Sequence, residues 1–133
     1  MVINMKRTAK FFKCVSCNTL VEALNPQCCD EMTCCGHSME MIIPNSSDGE
    51  SEKHMPVVKR EGAIITVCVG HLLHPMSREH RIMWIELSGC GYTRRAYLSA
   101  GEDPIVSFVV NETDDDFEVY AYCSRHGLWK TVV

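Results

Sequence analysis

Cys123 and His126 stand three residues apart in Tyr122-Cys123-Ser124-Arg125-His126-Gly127-Leu128-Trp129-Lys130, directly after the alternating run Phe117-Glu118-Val119-Tyr120-Ala121-Tyr122. A strand leaving into a turn can point both side chains the same way, so thiolate and imidazole can meet on one metal ion. Taken alone, such a pair is more often a buried cysteine beside a surface histidine. Further histidines shift that balance. His54 lies in Glu52-Lys53-His54-Met55-Pro56, and His74 and His80 bracket His74-Pro75-Met76-Ser77-Arg78-Glu79-His80. Each falls in a gap between strand-like runs. With Cys123 and His126 they offer four imidazoles and one thiolate from the loops of one small domain.

A second set of donors lies upstream. Lys13-Cys14-Val15-Ser16-Cys17 is a Cys-x2-Cys knuckle, followed by Cys28-Cys29 and by Cys34-Cys35-Gly36-His37-Ser38-Met39. The chain holds nine cysteines, an odd number, and its first twelve residues lack the continuous apolar segment of a secretory signal. In a reducing compartment that pattern reads as metal binding, not as a disulfide framework. Residues 1–43 are too few to fold on apolar burial alone, and four thiolates on one ion would staple them. Cys14 and Cys17 are the firm half. Cys34 and Cys35 are preferred for the other half, because Gly36 frees the turn behind them while Cys28 and Cys29 run into Asp30 and Glu31. Residue chemistry leaves zinc and iron on an equal footing here.

These donors need a frame. Pro44-Asn45-Ser46-Ser47-Asp48-Gly49-Glu50-Ser51 is polar and rich in turn formers, which predicts a linker over 44–51 between a domain at 1–43 and one at 52–133. The second domain reads as short strands at 63–69, 81–87, 92–98, 105–110 and 117–122, broken by turns at Ser88-Gly89-Cys90-Gly91, 100–104 and 111–116. No long helical period occurs. The expected fold is all-β, an antiparallel sandwich of about seven strands. Cys68, within a strand, is expected in the core and Cys90, between two glycines, at an oxidisable surface. Arg94, Arg95 and Arg125 are expected as surface charges. The net charge of −4, with no basic run, argues against a nucleic-acid partner. No apolar run approaches the roughly 20 residues that span a bilayer. A soluble cytoplasmic protein is expected.

In order along the chain, Cys14-Val15-Ser16-Cys17, Cys34-Cys35-Gly36-x-x-Met39, Glu52-Lys53-His54-x-Pro56-Val57, His74-Pro75-Met76-x-x-x-His80, Trp84-Ile85-Glu86-Leu87 and Cys123-x-x-His126-Gly127-Leu128-Trp129 resemble the desulfoferrodoxins, superoxide reductases with two iron centres. The resemblance runs from about residue 11 to 130. It implies a desulforedoxin-like Fe(Cys)4 centre at Cys14, Cys17, Cys34 and Cys35, where zinc is the competing metal. It implies a catalytic iron held by His54, His74, His80 and His126 with Cys123 as axial ligand, in an immunoglobulin-like sandwich. It implies a homodimer re-reduced by a rubredoxin-like donor. Asn18 replaces the family's usual glycine after the knuckle, and asparagine tolerates the left-handed backbone best after glycine.

The chemistry suits these residues. Iron(II) with four neutral imidazoles and one thiolate keeps a formal positive charge and one open position, which draws a small anion such as superoxide. Lys53 adds to the attraction. The thiolate donates electron density and stabilises iron(III). The resemblance gives Glu52 the closing of the sixth position after oxidation. The reaction implied is superoxide plus one electron plus two protons giving hydrogen peroxide, with the electron supplied from outside.

Overall fold

The computed structural model describes residues 9–25, 31–47 and 49–133; Cys28 and Cys29 lie outside them. The chain forms two compact units, Met1–Ile43 and Pro44–Val133, both built from antiparallel strands.

In the first unit, β1 (Lys10–Lys13) runs between β2 (Leu20–Ala23) and β5 (Glu40–Ile42). Phe11 and Phe12 point to opposite faces of β1, and both are buried. β3 (Thr33–Cys34) and β4 (His37–Ser38) make a hairpin whose two turn residues, Cys35 (φ 53°) and Gly36 (φ 75°), are both left-handed. Positive φ at both central positions is the type I′ requirement, which suits the twist of flanking strands. The knuckle closes with Asn18 at φ 63°, as expected for asparagine in the glycine's place, and with Asn18 N donating to Cys14 O at 2.9 Å.

The second unit is a sandwich of a three-stranded and a four-stranded sheet. β10 (Ile105–Val109), β7 (Ile64–Val69) and β6 (Pro56–Glu61) form the first. β12 (Gly127–Val132), β11 (Glu118–Cys123), β8 (Ile82–Gly89) and β9 (Tyr92–Tyr97) form the second. β6 and β12 do not stand out in the sequence. β6 carries Lys59-Arg60-Glu61 on an edge and opens on a proline, where the missing N–H costs nothing. The core is filled from both sheets by Ile65, Val67 and Val69 facing Ile85, Leu87, Val119, Ala121 and Cys123.

Two expected placements change, Cys68 in the core and Arg95 as a surface charge. Because Ile65, Val67 and Val69 take the inward positions of β7, the period of two turns Cys68 outward, where it is only half-buried. Both parities of Ile64–Val69 are largely apolar, so alternation alone does not choose between them. Arg95 is not a free surface charge: it donates through Nε at 2.9 Å and through a second nitrogen to Glu86 Oε1, and Glu86 is fully buried. The guanidinium supplies the countercharge that a buried carboxylate demands.

The described residues of 44–51 make specific contacts. Asn45 pairs with β12 through its N–H to Leu128 O (2.9 Å) and through its side chain to both backbone groups of Lys130. A single helical turn, α1 (Ser51–His54), then delivers the chain to β6.

Candidate metal centres

Three structural devices bring the donors of the second unit together. α1 ends on His54. The loop after β7 carries His74 and His80. The β11–β12 turn holds Cys123 and His126, with Cys123 paired to Gly127 across its mouth. At the same end the β8–β11 ladder slips: Tyr122 pairs with Trp84, but Cys123 pairs with Ile82. A bulge at a sheet end bends the strand locally, and here it occurs at the residue that must point at the site.

One donor atom from each of His54, His74, His80, Cys123 and His126 lies within 4.8 Å of every other. His54 Nε2 is 3.0 Å from His74 Nε2 and 3.1 Å from His126 Nδ1. Cys123 Sγ is 3.3 Å from His74 Nε2 and 3.8 Å from His126 Nδ1. His54 therefore presents Nε2 to the cluster and His126 presents Nδ1, a distinction that residue spacing does not carry.

The donor set fits a cation. His54 Nδ1 faces Glu50 O at 2.7 Å and His74 Nδ1 faces Pro75 O at 2.6 Å. A carbonyl only accepts, so each Nδ1 carries the hydrogen and each Nε2 is left with a bare lone pair. Burial keeps these rings neutral: it lowers the pKa of His54 and His80, and takes His74 down to about 4. Two bare lone pairs 3.0 Å apart repel unless a positive charge lies between them. His80 Nε2 is likewise buried with no hydrogen-bond partner among the described residues. The same carbonyl contacts orient the rings, as outer-shell partners of metal-bound histidine do. Burial raises the Cys123 thiol, opposed by the backbone N–H groups of Arg125 and His126, the latter 3.4 Å from the sulfur.

The surrounding shell is not legible as a motif. Trp129 stacks on His54 with ring centroids 4.8 Å apart, and its Nε1–H donates to His126 O at 3.1 Å. The Ser47 hydroxyl donates to the same carbonyl. Gly49 lies so close that an added Cβ would sit 2.9 Å from both His126 Cβ and His54 Cε1. Trp129 belongs to the Cys123–Trp129 segment singled out as a ligand motif, whereas Ser47 and Gly49 fall in the stretch read as a linker.

Glu52 and Lys53 flank this site on α1. Glu52 is exposed, and its main-chain carbonyl accepts from Leu72 N at 3.1 Å. Lys53 Nζ lies 3.6 Å from Glu50 Oε2 in an exposed pair, which solvent screens. The charge of Lys53 is felt at His54 and His80. His71 is exposed and outside the cluster.

In the first unit the sulfurs of Cys14, Cys17, Cys34 and Cys35 form a second group, each within 4.8 Å of the others. Cys17 Sγ is 3.7 Å from Cys34 Sγ, which is 3.9 Å from Cys35 Sγ. The Thr19 hydroxyl, 3.0 Å from Cys17 Sγ, and the Thr19 N–H lower the Cys17 pKa to about 6. Contacts with Cys14 and then Cys17 push Cys34 up to about 12. Four thiols this close cannot all ionise alone, and a bound cation relieves that conflict. All-thiolate and His4Cys donor sets both suit iron.

Comparison with known proteins agrees with this geometry. A family model described as Desulfoferrodoxin matches residues 46–132. The chain is 40% identical over 125 residues to a desulfoferrodoxin homolog of Methanothermobacter thermautotrophicus, covering 94% of this chain and 99% of that protein. It is 35% identical over 126 residues to a desulfoferrodoxin of Nitratidesulfovibrio vulgaris, covering 95% and 98%. The superoxide reductase of Treponema pallidum superposes with a TM-score of 0.78 at 28% identity, covering 94% of this chain and 99% of that one. No helix among the described residues is long and apolar enough to cross a membrane. Two antiparallel β units, each gathering one of these donor sets, and relatives that match along nearly the whole length place the chain in one family: it belongs to the desulfoferrodoxins.

Proposed function

We propose that this protein is a superoxide reductase, converting superoxide, one external electron and two protons to hydrogen peroxide at a His4Cys iron. The observation that carries this reading is the convergence of His54, His74, His80, Cys123 and His126 on one point, with imidazole lone pairs left facing each other. An iron ion held there supplies the one-electron chemistry and the positive charge that attracts an anion. The chain's residues do the rest. Glu50 O and Pro75 O lock the tautomers of His54 and His74, and the His126 N–H donates to Cys123 Sγ. Lys53 adds positive charge where the anion arrives and can hold a proton at Nζ for the product; its exposed pairing with Glu50 leaves it free to swing. Glu52, exposed beside it, is the carboxylate assigned to close the site after turnover.

On the same reading the first unit, residues 1–43, holds a second iron at Cys14, Cys17, Cys34 and Cys35, with zinc as the competing metal. Residues 52–133 form the catalytic domain, joined through 44–51. The protein acts as a homodimer in the cytoplasm, detoxifies superoxide under oxidative stress, and takes electrons from a rubredoxin-like donor.

The test is the visible spectrum of iron-replete protein, reduced and then oxidised with superoxide, with peroxide counted against superoxide consumed. Two independent sets of thiolate-to-iron(III) bands are expected, the second absent in Cys123→Ser. A reductase makes one peroxide from each superoxide, whereas dismutation makes one from every two. A colourless protein that folds with zinc alone, or the dismutation ratio, overturns the reading.

A further inference from the structure

We propose that Ser124 is a positioning residue that locks the His80 segment to the Cys123–His126 turn and so sets where the His80 ring stands at the second centre. The inference rests on the iron reading of that centre. The four histidines are not held alike. His54 and His74 are each anchored by Nδ1 on a backbone carbonyl. The backbone carbonyl of His126 takes hydrogen bonds from Trp129 and Ser47. The His80 ring has no side-chain hydrogen bond among the described residues, and its Nε2 is buried and unpartnered. Its place is therefore decided by its backbone.

That backbone is shaped from two sides. Within the loop, Ser77 folds back on His80 through N and Oγ to His80 O (3.0 and 3.1 Å), and Oγ accepts His80 N at 3.1 Å. These bonds shape the loop but do not attach it to the sheet. Met76 O accepts from Gly101 N at 2.9 Å earlier in the loop, but the attachment beside His80 itself, to the Cys123–His126 turn, comes from Ser124. Its Oγ–H donates to Glu79 O at 3.1 Å, its Oγ accepts Arg81 N at 3.1 Å, and its N–H donates to Arg81 O at 3.0 Å. One hydroxyl thus grips the residues on either side of His80. It is carried by the residue next to Cys123, at the point where the β8–β11 ladder slips and ends. Beyond that ladder and the contact of Cys123 Sγ with His74 Nε2, the hydrogen bonds joining the two ligand-bearing segments among the described residues all pass through Ser124. Alanine there keeps the N–H bond and removes both bonds of the hydroxyl; threonine retains the oxygen.

The experiment compares iron-replete wild type with Ser124→Ala and Ser124→Thr. The readouts are the charge-transfer band and EPR signal of the oxidised second centre, and the rate at which a chelator removes its iron. The Fe(Cys)4 band serves as a reference within each sample. Ser124→Ala is expected to shift the second band and to weaken iron retention there by about 10- to 100-fold, the usual cost of losing an outer-shell partner. The first band should stay in place, and Ser124→Thr should restore both readouts. An Ala variant indistinguishable from wild type overturns the inference, as does a Thr variant as impaired as Ala. A wild-type chain without the second band overturns the iron reading instead, and this inference with it.

Discussion

Thr19 and Cys17 illustrate how a single side chain can tune a centre without binding to it. The Thr19 hydroxyl lies 3.0 Å from Cys17 Sγ, and this contact heads the causes that lower the Cys17 pKa. A donor aimed at a ligand sulfur stabilises the more negative, reduced state of a thiolate-bound iron and raises its reduction potential. Thr19→Val keeps the shape and removes the O–H. Redox titration should then show a lower potential for the first centre and an unchanged potential for the second. Equal movement of both would point to a global effect and count against this account. Cys90 is the contrasting residue. It is exposed in the β8–β9 turn, as its neighbouring glycines suggest, but its thiol lies 2.8 Å from Asp115 O. Residual burial, then Asp114 and Asp116, push its pKa up, which disfavours the thiolate that oxidation requires.

At the scale of elements, α1 can reach the site only because Gly70 has no side chain. A Cβ there would lie 2.5 Å from Glu52 O and 2.8 Å from Lys53 C, both backbone atoms with little room to yield. Gly70→Ala should therefore push α1, and His54 with it, out of place. The expected cost is about 1–3 kcal/mol, typical of overpacking. Thermal unfolding should show a lower Tm, and the second centre should lose iron to a chelator more readily than the first. An unchanged Tm with unchanged iron retention would mean that the turn moves freely and that this close approach is not what holds it. Arg60 does comparable work farther from the metals. Its guanidinium donates to Gly62 O, Asn111 O, Glu112 O and Asp114 O and pairs with Asp115, which folds the 111–116 turn back on the end of β6.

For the whole molecule, the two units should respond differently when metal is withdrawn. Among the described residues the fully buried apolar side chains of the first unit are Phe11, Phe12 and Cys14, whereas the second has a core shared between two sheets. A unit with so little to bury depends on its metal for stability. Chelation should expose residues of the first unit to limited proteolysis while the sandwich stays resistant; equal protection of both would contradict this. Acid acts on the second unit. His74, with an ordinary pKa of 6.5, is held down to about 4 by burial in the folded chain, so the unfolded chain binds its proton first as pH falls. Stability of the metal-free protein should thus be unaffected by His74 above about 6.5 and fall progressively as pH drops towards about 4. Denaturant midpoints across that window should decline less steeply in His74→Asn, which cannot take up the proton; an identical slope would remove His74 from the account.

The sequence alone was enough to show which residue types stand at which spacings, and those are local properties. Cys14-x2-Cys17, Cys34-Cys35 before Gly36, and Cys123-x2-His126 at the end of an alternating run each reflect the geometry of one turn. Short β-type runs bounded by turn residues likewise made most of the second unit's strands visible. β6 and β12 were hidden because one is a charged edge strand opening on proline and the other shares its residues with the Cys123–His126 motif. The tertiary structure decided everything that depends on which segments meet. It turned Cys68 away from the core, set Arg95 against buried Glu86, chose Nδ1 of His126, and brought Ser47, Gly49 and Trp129 around the ligands. It also placed the Ser124 hydroxyl on both sides of His80. Most of these contacts join residues tens of positions apart, and strand register and packing select them, so no single stretch of sequence contains them.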